Sequence, residues 1–171
     1  WMEQEAMCSL RISMNEPEHQ KLLAEGGFDP VWKAAIDQNM AVAVWNRGGA
    51  AMMEPVLKKF PDLTYIIDHF AWAVPGEARE KKVQAMIDLA RYRNVHVKVS
   101  SLPLVSGSEP PEYEDLHPLI RRVHAAFGAE RLMWASDQTQ TMGKNRGTYT
   151  QNLDIIRKYA AAYLPAADIQ Q

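Results

Sequence analysis

Several short stretches of this 171-residue sequence put acids, bases and cations where chemistry could be done. Asp68-His69 follows the apolar run Tyr65-Ile66-Ile67, and Asp137 follows Leu132-Met133-Trp134-Ala135-Ser136. An aspartate beside a histidine at the end of a strand can ligate a metal, orient a base or cap the next turn. Asp137 can ligate a metal or deprotonate a water, or equally serve as the N-cap of a following helix. Further upstream lies Arg11, whose guanidinium can hold a carboxylate through two parallel hydrogen bonds or make a structural salt bridge beneath a site. Asn46, Lys98 and Ser100 complete the polar residues gathered at the ends of apolar runs.

Five stretches read as the strands that must position these groups: Cys8 to Met14, Met40 to Trp45, Leu63 to Asp68, Val95 to Ser100 and Arg131 to Ser136. Each is followed by a loop and a helical pattern. The helices expected are Glu16 to Glu25, Phe28 to Asn39, Ala51 to Phe60, Glu77 to Arg93, Leu116 to Phe127 and Thr148 to Tyr163. Pro30 suits a first helical turn, Pro61 stops a helix, and Gly128 is a natural C-cap. Strand centres recur roughly 23 to 35 residues apart, the repeat of a βα unit. Near-continuous apolar strands alternating with amphipathic helices mean α/β structure with a parallel sheet covered by helices.

Side-chain parity sharpens the expectation, because residues two apart on a strand share a face. Val95, Val97 and Val99 form one face, suited to packing against helices; His96, Lys98 and Ser100 form the other, suited to a barrel interior or a cleft. By the same rule Leu10, Ile12 and Met14 oppose Ser9, Arg11 and Ser13. Arg11 therefore points inward. Ligands in parallel sheets bind at the C-terminal strand ends, where these polar residues gather.

Two architectures share the βα repeat, a doubly wound sheet and a (β/α)8 barrel. A closed barrel needs about eight strands, so the barrel reading treats residues 1–171 as one domain that is part of a larger barrel. The opening at Trp1 without an initiator Met, and the end at Gln170-Gln171, fit that expectation. A rival motif is Asn46-Arg47-Gly48-Gly49-Ala50-Ala51 between a strand and a helix, since a glycine turn there can cradle phosphate. It lacks the spacing G-x-G-x-x-G.

Composition narrows the partners. At 47% hydrophobic and 23% charged, with a formal net charge of −2, the chain shows no electrostatic pull towards nucleic acid or anionic membrane. No apolar run reaches the roughly 18 to 20 residues of a membrane span. The lone Cys8 excludes an intrachain disulfide, reads as a small core residue and fits a reducing compartment, so the cytoplasm is the expected location. His19 and His124 read as solvated or packed on helices, His96 as core, and His117 as a positioning residue at a helix start.

Together, Asp68-His69 after an apolar strand, Asn94-Val95-His96-Val97-Lys98-Val99-Ser100, Leu116-His117-Pro118-Leu119 and Phe127-Gly128-Ala129-Glu130-Arg131-Leu132-Met133-Trp134-Ala135-Ser136-Asp137 resemble the amidohydrolase-related proteins. The resemblance spans roughly Ser9 to Tyr163. It implies a (β/α)8 barrel hydrolysing lactones or related esters and amides, with decarboxylation as the alternative on the same scaffold. The five strands then resemble the fourth to eighth of the barrel. Asp137 resembles the last-strand aspartate, metal ligand or water-activating base, and His69 resembles the sixth-strand histidine that contacts metal, water or substrate. Arg11, Asn46, Lys98 and Ser100 are the expected substrate contacts.

The resemblance implies one divalent metal, zinc first, held in part by Asp137 and His69, or none. The first-strand H-x-H pair of the family is absent from this chain, Trp45-Asn46 stands where metal-dependent members carry a histidine, and Ala135 and Gln138-Thr139 replace the usual Gly and Trp-Pro. A small-molecule substrate is the expected partner, with self-association the macromolecular option. A non-catalytic or partner-dependent half-barrel is the reading from another class, because five barrel strands alone expose sheet edges.

Overall fold

A computed structural model of the chain describes residues 8–144 and 146–170. Residues 1–7 and 171, on which the expectations about the two ends fall, lie outside the described residues. Five strands form: β1 (Ser9–Ser13), β2 (Ala41–Trp45), β3 (Tyr65–Ile67), β4 (Val95–Ser100) and β5 (Leu132–Ala135). All are parallel and lie in sequential order across one sheet. A parallel crossover is right-handed in nearly every protein, so sequential order sends every connecting helix to the same face. A doubly wound sheet instead reverses its strand order at a switch point. The architecture is of the (β/α)-barrel type, incomplete at five strands, and the doubly wound alternative is overturned.

The helices follow in chain order as α1 (Pro17–Ala24), α2 (Asp29–Asp37), α3 (Glu54–Lys59), α4 (Arg79–Asp88), α5 (Leu102–Val105), α6 (His117–Phe127), α7 (Gln138–Gly143), α8 (Tyr149–Asp154) and α9 (Ala166–Ile169). Proline occupies the first turn of α1, α2, α3, α5 and α6, where its missing N–H is no loss. Gly128 ends α6 at φ +74°, and a Cβ there would lie 2.5 Å from the Glu130 carboxylate. Expected elements are all present, but their bounds shrink by a residue or two at most ends.

The last helix departs from expectation. After the Thr148–Gln151 capping box that starts α8, residues Ile155–Tyr159 widen into a π-turn and Ala160–Ala162 tighten into a 3-10 turn. Ile155 and Ala160 are both fully buried and five residues apart. The wider i→i+5 turn brings that spacing onto one side.

The core lies between the sheet and its helices. Val42, Val44, Tyr65, Ile67, Val95, Val97 and Val99 are buried on the helix side, against Trp32, Met53, Leu57, Val83, Met86 and Val123. On the opposite face Arg11, Ala43, Ile66 and His96 are register partners in one row. On that face Ala43 and Ile66 are buried, while Arg11 is exposed and His96 partly so. Among the described residues, the outer edges of β1 and β5 have no strand partner.

The parity assignment is testable. Val97→Thr keeps the shape of the side chain but puts a hydroxyl into the helix-facing layer. It is expected to cost roughly 1–3 kcal/mol in chemical denaturation. Unchanged stability would mean that Val97 does not face the helices.

Candidate active site

Three of the five strands release the chain through a residue in the left-handed region: His69 (φ +48°) beyond β3, Ser101 (φ +56°) beyond β4 and Asp137 (φ +47°) beyond β5. Each such residue costs about 1–2 kcal/mol when it carries a Cβ. Beyond β3 the left-handed run continues through Phe70, Ala71 and Trp72. Phe70 and Ala71 are buried, which anchors this turn, while His69 and Trp72 line a cavity of about 310 Å³ at the C-terminal ends of the strands. Arg11, Trp45, Arg47 and Asp137 line the same cavity.

Beneath it, the Asp68 side chain has no solvent exposure. Arg11 Nε donates to its Oδ2 at 2.6 Å, and Lys98 Nζ lies 3.0 Å from Oδ1, off the hydrogen-bonding direction. Burial pushes the Asp68 carboxyl up, but the His69, Arg11 and Lys98 charges outweigh it and hold the group below its ordinary range.

The hydrogen bonds around His69 fix its protonation. Arg11 Nη2 lies 2.9 Å from His69 Nε2, and a guanidinium can only donate. Nε2 therefore accepts, and the ring proton sits on Nδ1. From there it is shared between Ser101 Oγ at 2.8 Å and Ser100 Oγ at 3.0 Å. Ser101 Oγ in turn donates to Asp137 Oδ2 at 2.5 Å. The chain of donors runs Arg11, His69, Ser101, Asp137. Burial pushes the His69 pKa down, Arg11 and Lys98 act in the same direction, and the Asp68 and Asp137 carboxylates oppose them without prevailing. His69 is neutral near pH 7.

The structure thus brings Arg11, His69, Lys98, Ser100 and Asp137 together, and leaves Asn46 apart. Asn46 is buried in its own loop: Oδ1 accepts from Gly48 N at 2.8 Å, and Nδ2 donates to Gly49 O at 3.0 Å and contacts Met52 Sδ. The same loop holds no phosphate cradle. Arg47 N donates to Asn15 Oδ1 and Gly49 N to Asn46 O, so with Gly48 all three amides are already used. The long connection after β4 contributes Leu104 to the cavity. Its outer part folds around Asp115, which accepts from Ser106, Gly107, Ser108 and Arg79. Despite burial, these bonds hold the Asp115 carboxyl at about 2.

Besides Trp72, Leu104, Gln140 and Lys144 of the cavity wall, Ser101 and Arg47 escaped the sequence reading. Ser101 is fully buried and links His69 to Asp137; its only sequence signal is its place directly after a strand. Arg47 was read as part of a glycine turn, not as a cavity residue. The remaining histidines do other work. His96 is half-buried in β4, His117 bonds the Tyr163 hydroxyl and Glu112 O, and His124 pairs with Asp168 at 2.8 Å.

The donor set does not by itself suit a divalent metal. Asp68 is clasped by two cations, and Nε2 of His69 faces a second donor group of Arg11, Nη2. Among the described residues no cluster of three or more His, Cys, Asp or Glu could hold a metal ion.

Parallel strands in sequential order, with acids and bases gathered where the strands end, define a protein of the (β/α)-barrel class. The family model "Amidohydrolase" matches residues 5–168, and the chain belongs to that family. An L-fucono-1,5-lactonase of Burkholderia ambifaria is 34% identical over 116 residues, covering 64% of this chain and 39% of that protein. The chain therefore spans about two fifths of the length of that curated relative. Among solved structures, an amidohydrolase from Burkholderia multivorans with bound zinc superposes with a TM-score of 0.84 at 15% identity, over 98% of this chain and 62% of the other. A putative 2-pyrone-4,6-dicarboxylic acid hydrolase from Pseudomonas putida gives 0.70 at 24% identity, over 95% and 58%. These structures establish the shared fold.

Two measurements test the site's electrostatics and strain. A histidine whose pKa is lowered on folding binds fewer protons folded than unfolded. Its contribution is complete above the ordinary value of 6.5 and is lost as pH falls below it. His96, pushed down by burial and Arg131, acts in the same window. Stability measured in urea should fall between pH 7 and 5, and His69→Gln and His96→Gln should each flatten part of that fall. Stability rising on acidification contradicts the assignment. Ala71→Gly relieves the left-handed penalty at the cost of one buried methyl, and is expected to leave the melting temperature unchanged or raised. Ala43→Gly, in a strand, should lower it; equal losses at both would remove the argument for strain.

Proposed function

We propose that the whole protein is a hydrolase that opens a small lactone or a related carboxylated ester or amide, with residues 1–171 forming one domain within a larger barrel. The observation that carries this reading is the chain from Arg11 through His69 and the buried Ser101 to Asp137, with Arg11, His69 and Asp137 lining one cavity at the strand ends. The family membership and the lactonase relative support it.

In this reading Asp137 takes a proton from water as the water oxygen attacks the carbonyl carbon. Ser101 holds the carboxylate in place and His69 holds Ser101. Negative charge develops on the carbonyl oxygen, and the Arg11 guanidinium, whose Nη1 is given neither to Asp68 nor to His69, is the group placed to stabilise it. The ring C–O bond then breaks, and the leaving alkoxide takes back a proton from Asp137. Lys98 and Ser100 act through Asp68 and His69, as positioning residues. No step is assigned to a metal.

The test is turnover of candidate lactones, L-fucono-1,5-lactone and 2-pyrone-4,6-dicarboxylate among them, followed by acid release at constant pH. Asp137→Asn is expected to lower kcat by at least about a hundredfold, the lower range for loss of a general base. Full turnover by this variant would falsify the role of Asp137. Carbon dioxide in place of a ring-opened acid would make the enzyme a decarboxylase.

A further inference from the structure

Arg47 has no part in the relay, yet its exposed side chain lies over two aromatic rings at the cavity mouth. Its guanidinium carbon lies 5.3 Å from the centre of the Trp45 ring and 5.9 Å from that of Trp72. The two indoles meet edge to face, with centroids 6.1 Å apart and planes at 75°. Arg47 therefore sits in the corner they form. The backbone is fixed as well. Asn15 Oδ1 accepts from Arg47 N at 2.8 Å, and Lys82 Nζ, from α4, donates to Arg47 O at 2.5 Å. The same ammonium reaches Trp72 O at 3.3 Å. One buried-stem lysine thus ties together the loop after β2 and the left-handed turn after β3.

This guanidinium is built in but unspent. Among the described residues no carboxylate lies within ion-pair distance of it, whereas Arg11 is neutralised by Asp68. Lys144 adds a further cation to the cavity lining, against the single carboxylate of Asp137. The surplus is positive. The walls beside it are flat indoles, and about 310 Å³ is at the small end for ligand sites, a size that suits a small molecule.

We propose that Arg47, held in the corner of Trp45 and Trp72, binds a carboxylate of the substrate, so that the preferred substrate is a small planar ring acid. The proposal rests on the lactone-opening reading for its substrate class, but the anion site stands on its own geometry. A guanidinium held against aromatic rings keeps its planar fork of N–H groups, which can take a carboxylate by two parallel bonds.

The experiment uses the whole protein and two pairs of probes. Unreactive 2-furoate and 2-furamide report binding by calorimetry; 2-pyrone-6-carboxylate and its methyl ester report ring opening. Wild type should bind furoate in preference to the amide. Arg47→Met should weaken furoate binding, and raise KM for the pyrone acid, by about tenfold to a hundredfold, the equivalent of a hydrogen bond to a charged group. It should leave the methyl ester and kcat within a few-fold. Arg47→Lys, which keeps charge but not the planar fork, should fall between. Equal effects on acid and ester, or none on furoate, overturn the proposal. Furoate binding that depends on Arg47 in a protein that opens no lactone upholds the anion site and sinks the hydrolytic reading. Lactone opening indifferent to the carboxylate does the reverse.

Discussion

The Asp68 carboxylate has no solvent exposure and lies where three strands converge, and a buried charge of that kind is tolerable only with counter-charges arranged around it. Arg11 comes to it from β1 and Lys98 from β4, while His69 follows it directly in the chain. Because the guanidinium spends its Nε on Asp68, its Nη2 is aimed at His69, and the histidine tautomer follows from that. Through Ser101 the tautomer in turn orients Asp137. Breaking a buried pair by removing one partner costs about 3–5 kcal/mol. The charge that does no chemistry thereby sets the geometry of the groups that can.

Much of this was legible before any coordinates. The β4 alternation of valine with His96, Lys98 and Ser100 gave the inward face, because a period of two has only one physical meaning on a strand. Arg11 was placed inward by the same rule; the structural ion pair read for it is present with Asp68, and the side chain also lines the cavity. The order of the strands was not legible, since βα repeats are common to both parallel architectures. It took the observed register to separate them.

What the sequence concealed is backbone conformation and aromatic support. Nothing in Asp68-His69-Phe70-Ala71-Trp72 announces four successive left-handed residues, none of them glycine or asparagine. Tertiary burial of Phe70 and Ala71 overrides the local preference. Ser101 went unseen because its role exists only once β3, β4 and β5 are side by side. Asn46 misled in the opposite sense: a polar residue at a strand end looked like a ligand group, but its amide is consumed by the two glycines after it. The final helix was read as continuous, and a pattern of apolar spacing alone does not distinguish a π-turn from an α-turn.

The hydrogen bonds from Arg11 to Asp137 all point the same way, and a wire of fixed polarity conducts in one sense only. For a proton on Asp137 to travel inward, Ser101 would have to turn its hydroxyl towards His69. The ring would then have to pass a proton out through Nε2, against a guanidinium that has no lone pair to receive it. The interior is a dead end. The hydrogen bonds through Ser101 and His69 thus offer a proton on Asp137 no way inward, and the chain acts as a clamp on that carboxylate and not as a conduit.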